Sequence, residues 1–296
     1  YGIKVIYEEF ATNEDMYTKI KNGGGKYDVL FPSEYMIDRM IKEDMLEKLD
    51  MDNIENYKYI DSKYKNLSYD PNNEYSVPYM WGTFGIIYNK KMVKKPVDSW
   101  SILWDKDYSK QIFMLDSQRE SIGVALKLLN YSLNSRDKNH LENAKNKLIE
   151  QKPLVLSYVG DTVKDKMVAG EAALAVVWSG DAVTMKRNNP DLEYVIPKEG
   201  SNIWFDAMVI PKGAQHKAEA ELFINYMCRP DVAYKNAMFI GYSTPHTEAY
   251  NMLAPDVKND PVAYPSKEVL DRCEVFEDVS DVLRLYDEIW SEVMAK

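Results

Sequence analysis

The chain has 296 residues, of which 45% are hydrophobic and 28% are charged, so it is long enough for two lobes with a core in each. Its 37 Lys and Arg residues against 47 Asp and Glu residues give a formal net charge of −10, which disfavours nucleic acid and anionic membranes as partners and favours the approach of cations. No apolar stretch reaches the length of a membrane span, and the sequence has no Walker loop, dinucleotide fingerprint or zinc-protease motif.

Strand and helix patterns alternate in the first part of the chain, which favours an α/β fold with mostly parallel sheets. In chain order, the predicted elements are a strand at residues 3–7, a helix capped by Asn13 and ended by Gly23, Gly24 and Gly25, a strand at residues 27–31, a helix after Ser33, a turn at residues 70–73, and a long strand at residues 75–88 with bends at Gly82 and Gly85.

The alternation continues from Trp100 onward. The predicted elements are a strand at residues 112–115, a helix carrying Ile122 and Leu126, a charged helix at residues 138–151, a helix with Val163 and Met167 that ends at Gly170, a buried strand at residues 171–177, a strand through Asp206, a helix that stops before Pro230, and a last helix from Val282 to Val293.

Trp204 and Asp206 form an unusual pair of side chains within an apolar run. They are two residues apart, so on a strand they point to the same face. A carboxylate among apolar residues needs a partner, and an indole ring attracts cations. Trp178 ends an earlier buried run and adds a second indole. The pattern is typical of an amine-binding site; the alternative is two core tryptophans and an aspartate paired with Lys or Arg.

Further candidate residues lie at junctions between strands and helices. In open α/β sheets, ligands bind at the carboxyl ends of strands, so Glu120 could hold an ammonium group. The spacing of Ser117 and Glu120 equally predicts a capping box, which would explain both residues. At the corresponding junction in the first lobe, Ser33 is a helix cap or a ligand contact, and Tyr35 is a core residue or a ligand contact. Tyr242 lies in a turn, where it either packs or contacts a ligand.

The cysteines and histidines give weaker signals. Cys228 and Cys273 leave open one disulfide or two unpaired thiols, and their spacing matches no zinc site. The three histidines are far apart in sequence, and we expect His216 and His246, beside turn signals, on the surface. We predict no metal site, no cofactor and no catalytic residue.

Five segments together resemble the periplasmic polyamine-binding proteins of bacterial ABC importers, the spermidine/putrescine-binding type. They are YDVLFPSEY at residues 27–35, DPNNEYSVPYMWG at 70–82, VWSG at 177–180, WFD at 204–206 and IGYSTP at 240–245, in the order of that family. The resemblance implies a two-lobed type II periplasmic-binding-protein fold that encloses its ligand between two α/β lobes, each a mostly parallel sheet flanked by helices. The first lobe would comprise residues 1–82 and 205–250, and the second residues 83–204 and 251–296.

The resemblance also implies a set of ligand-binding residues. By position these are Ser33, Tyr35, Ser117, Glu120, Trp178, Trp204, Asp206 and Tyr242. Carboxylates would meet the nitrogen atoms of a polyamine, and aromatic rings would cover its methylene groups. The implied partners are a polyamine and the membrane permease of an ABC transporter. The chain would be a monomeric binding protein rather than an enzyme, located in the periplasm or at the cell surface, with or without a lipid anchor.

The chain departs from the family pattern at three places. Ser117 stands where the family often has Asp, and Phe276 where it has Gln; both changes favour a diamine shorter than spermidine or a different ligand placement. Residue 1 matches the family's second strand, so we expect an upstream strand and helix in the native gene product. Three alternatives stay open: an α/β enzyme that uses Glu120 or Asp206 as a general base, a protein that holds ferric ion by tyrosines, and a truncated fragment that binds no ligand.

Overall fold

A computed structural model describes residues 1–296 of the protein. The strands are β1 (Ser76–Asn89), β2 (Ile112–Leu115), β3 (Val155–Val159), β4 (Leu174–Trp178), β5 (Leu192–Val195) and β6 (Ile203–Val209). The helices are α1 (Asn13–Lys21), α2 (Glu34–Lys42), α3 (Gln118–Leu128), α4 (Lys138–Gln151), α5 (Val163–Val168), α6 (Ser179–Asn188), α7 (Lys217–Met227), α8 (Pro230–Ile240), α9 (Thr247–Met252), α10 (Pro255–Lys258), α11 (Lys267–Leu270) and α12 (Leu283–Ala295). No helix combines the length and the apolar character needed to cross a bilayer.

The chain forms two compact units, each assembled from separate stretches of sequence. The first unit comprises Tyr1–Trp81, Trp204–Ile240 and Thr244–Ala254, and the second comprises Gly82–Ile203, Gly241–Ser243 and Pro255–Lys296. The chain therefore leaves the first unit within β1 and returns to it at the start of β6. That these units act as the two lobes of a binding protein stays a prediction.

In the first unit, β6 pairs with β1 and also with the stretch that precedes α2. The backbone groups of Leu30 and Val209 exchange hydrogen bonds of 2.9 and 3.0 Å, and a second antiparallel bridge joins Ser33 to Asp206. The strand predicted at residues 27–31 is therefore present only as isolated bridges. Pro32 lies between these bridges and has no N–H group with which to continue the ladder.

Residues 3–7, predicted as a strand, form none. Alternating apolar side chains favour a strand, but its backbone groups must also pair with a neighbour, and no strand of the sheet pairs with these residues. Their apolar side chains lie in solvent, with Ile6 87% exposed. The prediction for the next helix is correct in its extent but wrong in its cap, because Thr12 and not Asn13 caps α1, with its hydroxyl accepting from the N–H of Asp15 at 3.0 Å.

The turn predicted at residues 70–73 is built around the buried carboxylate of Asp70. That carboxylate accepts hydrogen bonds from the N–H groups of Glu74, Tyr75 and Ser76 at 3.1, 3.0 and 2.9 Å, and from the hydroxyl of Ser76 at 2.8 Å. Asp70 thus fixes the start of β1, the strand that the chain follows into the second unit.

Replacing Asp70 by Ala is expected to lower the free energy of unfolding by about 3–5 kcal/mol, because four donors, of which the two on Ser76 are buried, lose this side-chain acceptor. Urea denaturation measures the change. Asp70→Asn is the matched control, since it keeps one acceptor oxygen and should lose less. A loss below about 1 kcal/mol for Asp70→Ala would show that water replaces the carboxylate freely.

The second unit contains a mixed sheet flanked by helices, so the prediction of a mostly parallel sheet is wrong. Its strand order is β3-β2-β4-β1-β5; β2 runs parallel to β3 and β4, whereas β1 runs antiparallel to β4 and β5. Apolar residues of α5, α6 and the strands form one buried cluster, and α3, α4 and α12 share another. The antiparallel β1 is the strand that the chain uses to enter this unit from the first one.

His246, which we expected on the surface, is buried at 2% exposure. Its Nδ1 accepts from the N–H of Ala249 at 3.1 Å and caps α9, while its Nε2 donates to the carbonyl of Cys228 at 2.9 Å. Burial lowers the pKa of His246, so the ring is a neutral structural element. His216 is exposed, as expected. Cys228 and Cys273 are both unpaired thiols, and burial raises the pKa of Cys228 to about 12.

Candidate functional site

Asp206 and Ser33 face each other across the antiparallel bridge between β6 and the stretch before α2. Side chains that are opposite each other on paired strands lie within contact distance. The hydroxyl of Ser33 donates to Oδ1 of Asp206 at 2.7 Å. Ser33 occupies the cap position of α2, but its side chain makes no capping hydrogen bond to the helix. Its hydroxyl is therefore free of the helix and donates to Asp206.

The charge of Asp206 is poorly compensated by the protein. No Lys or Arg forms an ion pair with it, and Ser33 is its side-chain hydrogen-bond partner. Asp206 keeps partial contact with solvent, but the protein around it raises the pKa of the carboxyl to about 6, against the smaller lowering effect of the Ser33 hydroxyl. The alternative interpretation of Asp206 as half of an ordinary Lys or Arg ion pair is therefore wrong.

Aromatic residues of the first unit lie near Asp206 and Ser33. Trp204 lies two residues before Asp206 on β6, as predicted, and is 7% exposed. Tyr79 is close enough for the charge of Asp206 to contribute to its pKa, which burial raises to about 12, so its hydroxyl stays protonated. Tyr35 is half-buried, and its hydroxyl donates to Glu14 at 2.9 Å. Its role as a ligand contact stays a prediction.

In the second unit, Ser117 and Glu120 follow the carboxyl end of β2, and Trp178 is the last residue of the parallel neighbour β4. The carboxyl ends of parallel strands lie at the same edge of a sheet, where α/β proteins place their ligands. The hydroxyl of Ser117 donates to the carboxylate of Glu120. Ser117 makes no capping bond to the backbone of α3, so the predicted capping box is not formed and both side chains point to each other instead.

Tyr242 packs against the same edge of the second unit. Its ring lies on Gly180, two residues after Trp178 at the start of α6, where a Cβ atom on Gly180 would be only 2.2 Å from the ring. Gly241 has a φ of +86°, and a Cβ atom at this position would lie 3.1 Å from the carbonyl oxygen of Gly180. Two glycines thus permit the close approach that places Tyr242 beside the Trp178 end of β4.

Replacing Gly180 by Ala is expected to lower the free energy of unfolding by about 1–3 kcal/mol, because the new methyl group overlaps the ring of Tyr242. The double variant Gly180→Ala with Tyr242→Ala should lose less stability than the sum of the two single losses, since the methyl group no longer overlaps a ring. A double-mutant cycle in urea measures the coupling between the two sites. Strictly additive losses would contradict the contact.

Asn13 and Glu34 also contribute to the surroundings of Ser33 and Asp206. The sequence predicted Asn13 as a helix cap and gave no role to Glu34. The amide of Asn13, expected to cap α1, bonds to both the backbone and the side chain of Ser33. Glu34 is 1% exposed and accepts from the N–H of Phe205 at 2.8 Å, which holds α2 against β6. Glu34 directly follows Ser33 in the segment at residues 27–35, and this position is the sequence signal that could have identified it.

Phe276 is buried, with the guanidinium of Arg119 4.5 Å from its ring centre.

No group of three or more His, Cys, Asp or Glu side chains is arranged to hold a metal ion.

A family model described as bacterial extracellular solute-binding protein matches residues 1–265. The spermidine/putrescine-binding periplasmic protein of Salmonella typhimurium is 38% identical over 296 residues, which is 99% of this chain and 85% of the relative. The solved spermidine/putrescine ABC transporter substrate-binding protein of Streptococcus pneumoniae is 42% identical with a TM-score of 0.85, and a solved structure from Listeria monocytogenes is 44% identical with a TM-score of 0.96. Each of these alignments covers 99% of this chain and 91% of the solved one.

The chain therefore belongs to the bacterial extracellular solute-binding proteins. Within them it belongs with the relatives named for spermidine and putrescine, which confirms the resemblance found in the sequence. These relatives also confirm the periplasmic-binding-protein fold class and the expectation of a binding protein rather than an enzyme.

Proposed function

We propose that this protein binds a polyamine, putrescine or spermidine, outside the cytoplasm and delivers it to the membrane permease of an ABC importer. The protein acts as a monomer, in the periplasm or at the cell surface, and its two units act as lobes that close on the ligand by a hinge motion. The names of the relatives support the choice of ligand. The acidic net charge of −10 supports a cationic ligand in general.

The observation that carries the proposal is the unbalanced carboxylate of Asp206. A partly buried charge without a counterion is costly, and such groups cluster at functional sites. An ammonium group that binds to Asp206 would supply the missing positive charge by a charge-assisted hydrogen bond. The indole of Trp204, two residues away on β6, offers a face for the adjoining methylene groups.

The second unit supplies the other groups that a polyamine needs. We assign Glu120, supported by Ser117, to a second nitrogen atom of the ligand, and Trp178 and Tyr242 to its carbon chain. Ser33 and Tyr35 complete the set of contacting residues. Two carboxylates match the two ammonium groups of putrescine, whereas spermidine carries a third nitrogen that needs a further polar partner.

Native mass spectrometry of the protein purified without added ligand tests this proposal. We expect a bound species with the mass of putrescine or spermidine, unaltered after release. Metal analysis of the same sample tests the ferric-ion alternative. A protein that carries a different small molecule, or that turns over added polyamine into a product, would overturn the proposed function.

The affinity for putrescine is expected to fall as the pH drops through 6. The pKa of Asp206 is raised to about 6, so its carboxyl is ionised at pH 8 and gains a proton below pH 6, and a protonated acid no longer neutralises an ammonium group. Calorimetry should show binding at pH 5 about tenfold weaker than at pH 8. Asp206→Asn is the control, whose residual affinity should change much less over the same range. Equal affinity of the unaltered protein at pH 5 and pH 8 would contradict the role of Asp206.

A further inference from the structure

Asn13 forms two hydrogen bonds with Ser33, and together these bonds fix the direction of both side chains. The backbone N–H of Ser33 donates to Oδ1 of Asn13 at 3.1 Å, and Nδ2 of Asn13 donates to the hydroxyl oxygen of Ser33, also at 3.1 Å. Because a backbone N–H can only donate, the oxygen of the Asn13 amide must face it. The NH₂ group must then face the hydroxyl oxygen of Ser33.

This arrangement determines what the Ser33 hydroxyl can do. Its oxygen already accepts a hydrogen from Asn13, so its own hydrogen is directed to another acceptor. That acceptor is Oδ1 of Asp206, 2.7 Å away. The three side chains form a chain of donors that ends on the carboxylate, and successive hydrogen bonds in such a chain strengthen one another.

We propose that Asn13 is a positioning residue for the ligand site: it holds Ser33 as an obligatory donor to Asp206 and so keeps that carboxylate ionised and oriented for an ammonium group. The inference rests on the proposed function for its ligand, but the donor chain itself lies wholly within the first unit.

The local structure of α1 supports this role. Asn13 is the first residue of the helix, and the cap is Thr12, which accepts from Asp15. The helix therefore does not need the side chain of Asn13 at its start, and that side chain is directed to Ser33, 20 residues away in sequence. Thr12 and Asn13 are adjacent, but one stabilises α1 and the other contacts Ser33.

Titratable groups close to Asp206 in the first unit include two tyrosines and a glutamate. Burial raises the pKa of both Tyr69 and Tyr79, and the negative charge of Asp206 raises each further. Neither tyrosine therefore ionises below pH 8. Glu34 lies next to Ser33, with Oε2 bonded to the N–H of Phe205. Among these neighbours, Ser33 is the one whose hydrogen bond favours the ionised form of Asp206.

The test compares three variants of the full chain. Asn13→Ala removes both bonds to Ser33. Asn13→Asp keeps the acceptor for the Ser33 N–H but replaces the NH₂ donor by an oxygen, which draws the Ser33 hydroxyl away from Asp206. Thr12→Ala is the matched control, because it removes the cap of α1 and leaves the donor chain in place. The pKa of Asp206 is read in the ligand-free protein from carbon-13 spectra of labelled aspartate, assigned with Asp206→Asn.

We expect the pKa of Asp206 to rise in Asn13→Ala, to rise further in Asn13→Asp, and to stay unchanged in Thr12→Ala. Putrescine affinity at pH 6, relative to pH 8, should fall about fivefold more in Asn13→Asp than in the unaltered protein. An unchanged pKa in Asn13→Ala, or an equal rise in Thr12→Ala, would overturn the positioning role. Asn13→Asp alone does not decide it, because its added negative charge raises the pKa of Asp206 by itself. A pKa that rises as expected in a protein that binds no polyamine would support the donor chain and refute the proposed function, so the two failures are distinguishable.

Discussion

Replacing Asp206 by Asn is expected to remove most of the polyamine affinity and, at the same time, to make the ligand-free protein more stable. An ammonium group that loses its buried carboxylate partner costs about 3–5 kcal/mol, which corresponds to a loss of affinity of roughly 100-fold to several thousand-fold. Isothermal titration with putrescine at pH 8 measures this loss.

The gain in stability follows from the raised pKa of Asp206. A carboxyl with a pKa of about 6 in the folded chain, above its usual 3.8, makes the folded state less stable wherever the group is ionised. Its contribution to stability therefore falls as the pH rises from about 4 to 6, and it stays low at higher pH. Asn carries no charge and can still accept a hydrogen bond from Ser33. The free energy of unfolding of the ligand-free variant should therefore be about 1–2 kcal/mol higher than that of the unaltered protein at pH 8.

The pH dependence provides the control for this prediction. The stability advantage of Asp206→Asn should shrink as the pH falls below 6, because the unaltered protein then becomes neutral at the same position. Thermal denaturation of the ligand-free proteins at pH 5 and pH 8 tests it. A variant that is less stable than the unaltered protein at pH 8 would show that the charge is compensated within the protein, against the structure.

Replacing Glu120 by Gln is expected to weaken polyamine binding by about 10- to 100-fold, because a charge-assisted hydrogen bond to the second nitrogen becomes a neutral one. Titration with putrescine measures it.

Ser117→Ala is the matched control for Glu120. It removes the hydroxyl that donates to Glu120 but keeps the charge, so we expect a much smaller loss of affinity. If Glu120→Gln binds putrescine as tightly as the unaltered protein, Glu120 does not contact the ligand and its bond to Ser117 is structural.

Much of the fold could be predicted from periodicity. The helix at Lys138–Gln151 and the strand at Ile112–Leu115 have the predicted bounds, because a long amphipathic pattern and a short buried apolar run are strong local signals. Seven elements were not predicted: β3, β5, α6, α8, α9, α10 and α11. In β3, exposed and buried residues do not alternate, so no strand period is visible in its five residues.

The failures concern interactions between residues that are distant in sequence. Residues 3–7 have a strand pattern but no partner strand, and Pro32 interrupts the bridges that follow. His246 is buried because its ring replaces a conventional cap, an interaction that a turn signal does not indicate. Asn13 is a good cap by type, but Thr12 directly before it takes that position.

The candidate site was predicted in part by physical reasoning and in part by resemblance. The shared face of Trp204 and Asp206 follows from strand geometry, and β6 confirms that strand. The bond between Ser33 and Asp206 joins residues 173 positions apart, and no local pattern reveals it. The close contact between Tyr242 and Gly180 likewise depends on the tertiary fold.

The most direct test of the account is a calorimetric comparison of putrescine with butane-1,4-diol at pH 8. The two molecules share a four-carbon chain, but only putrescine carries the ammonium groups that we assign to Asp206 and Glu120. We predict a dissociation constant for putrescine in the micromolar range or below, corresponding to about −8 kcal/mol or better, and no detectable heat with the diol. Equal binding of both, or no binding of either putrescine or spermidine, would contradict the account.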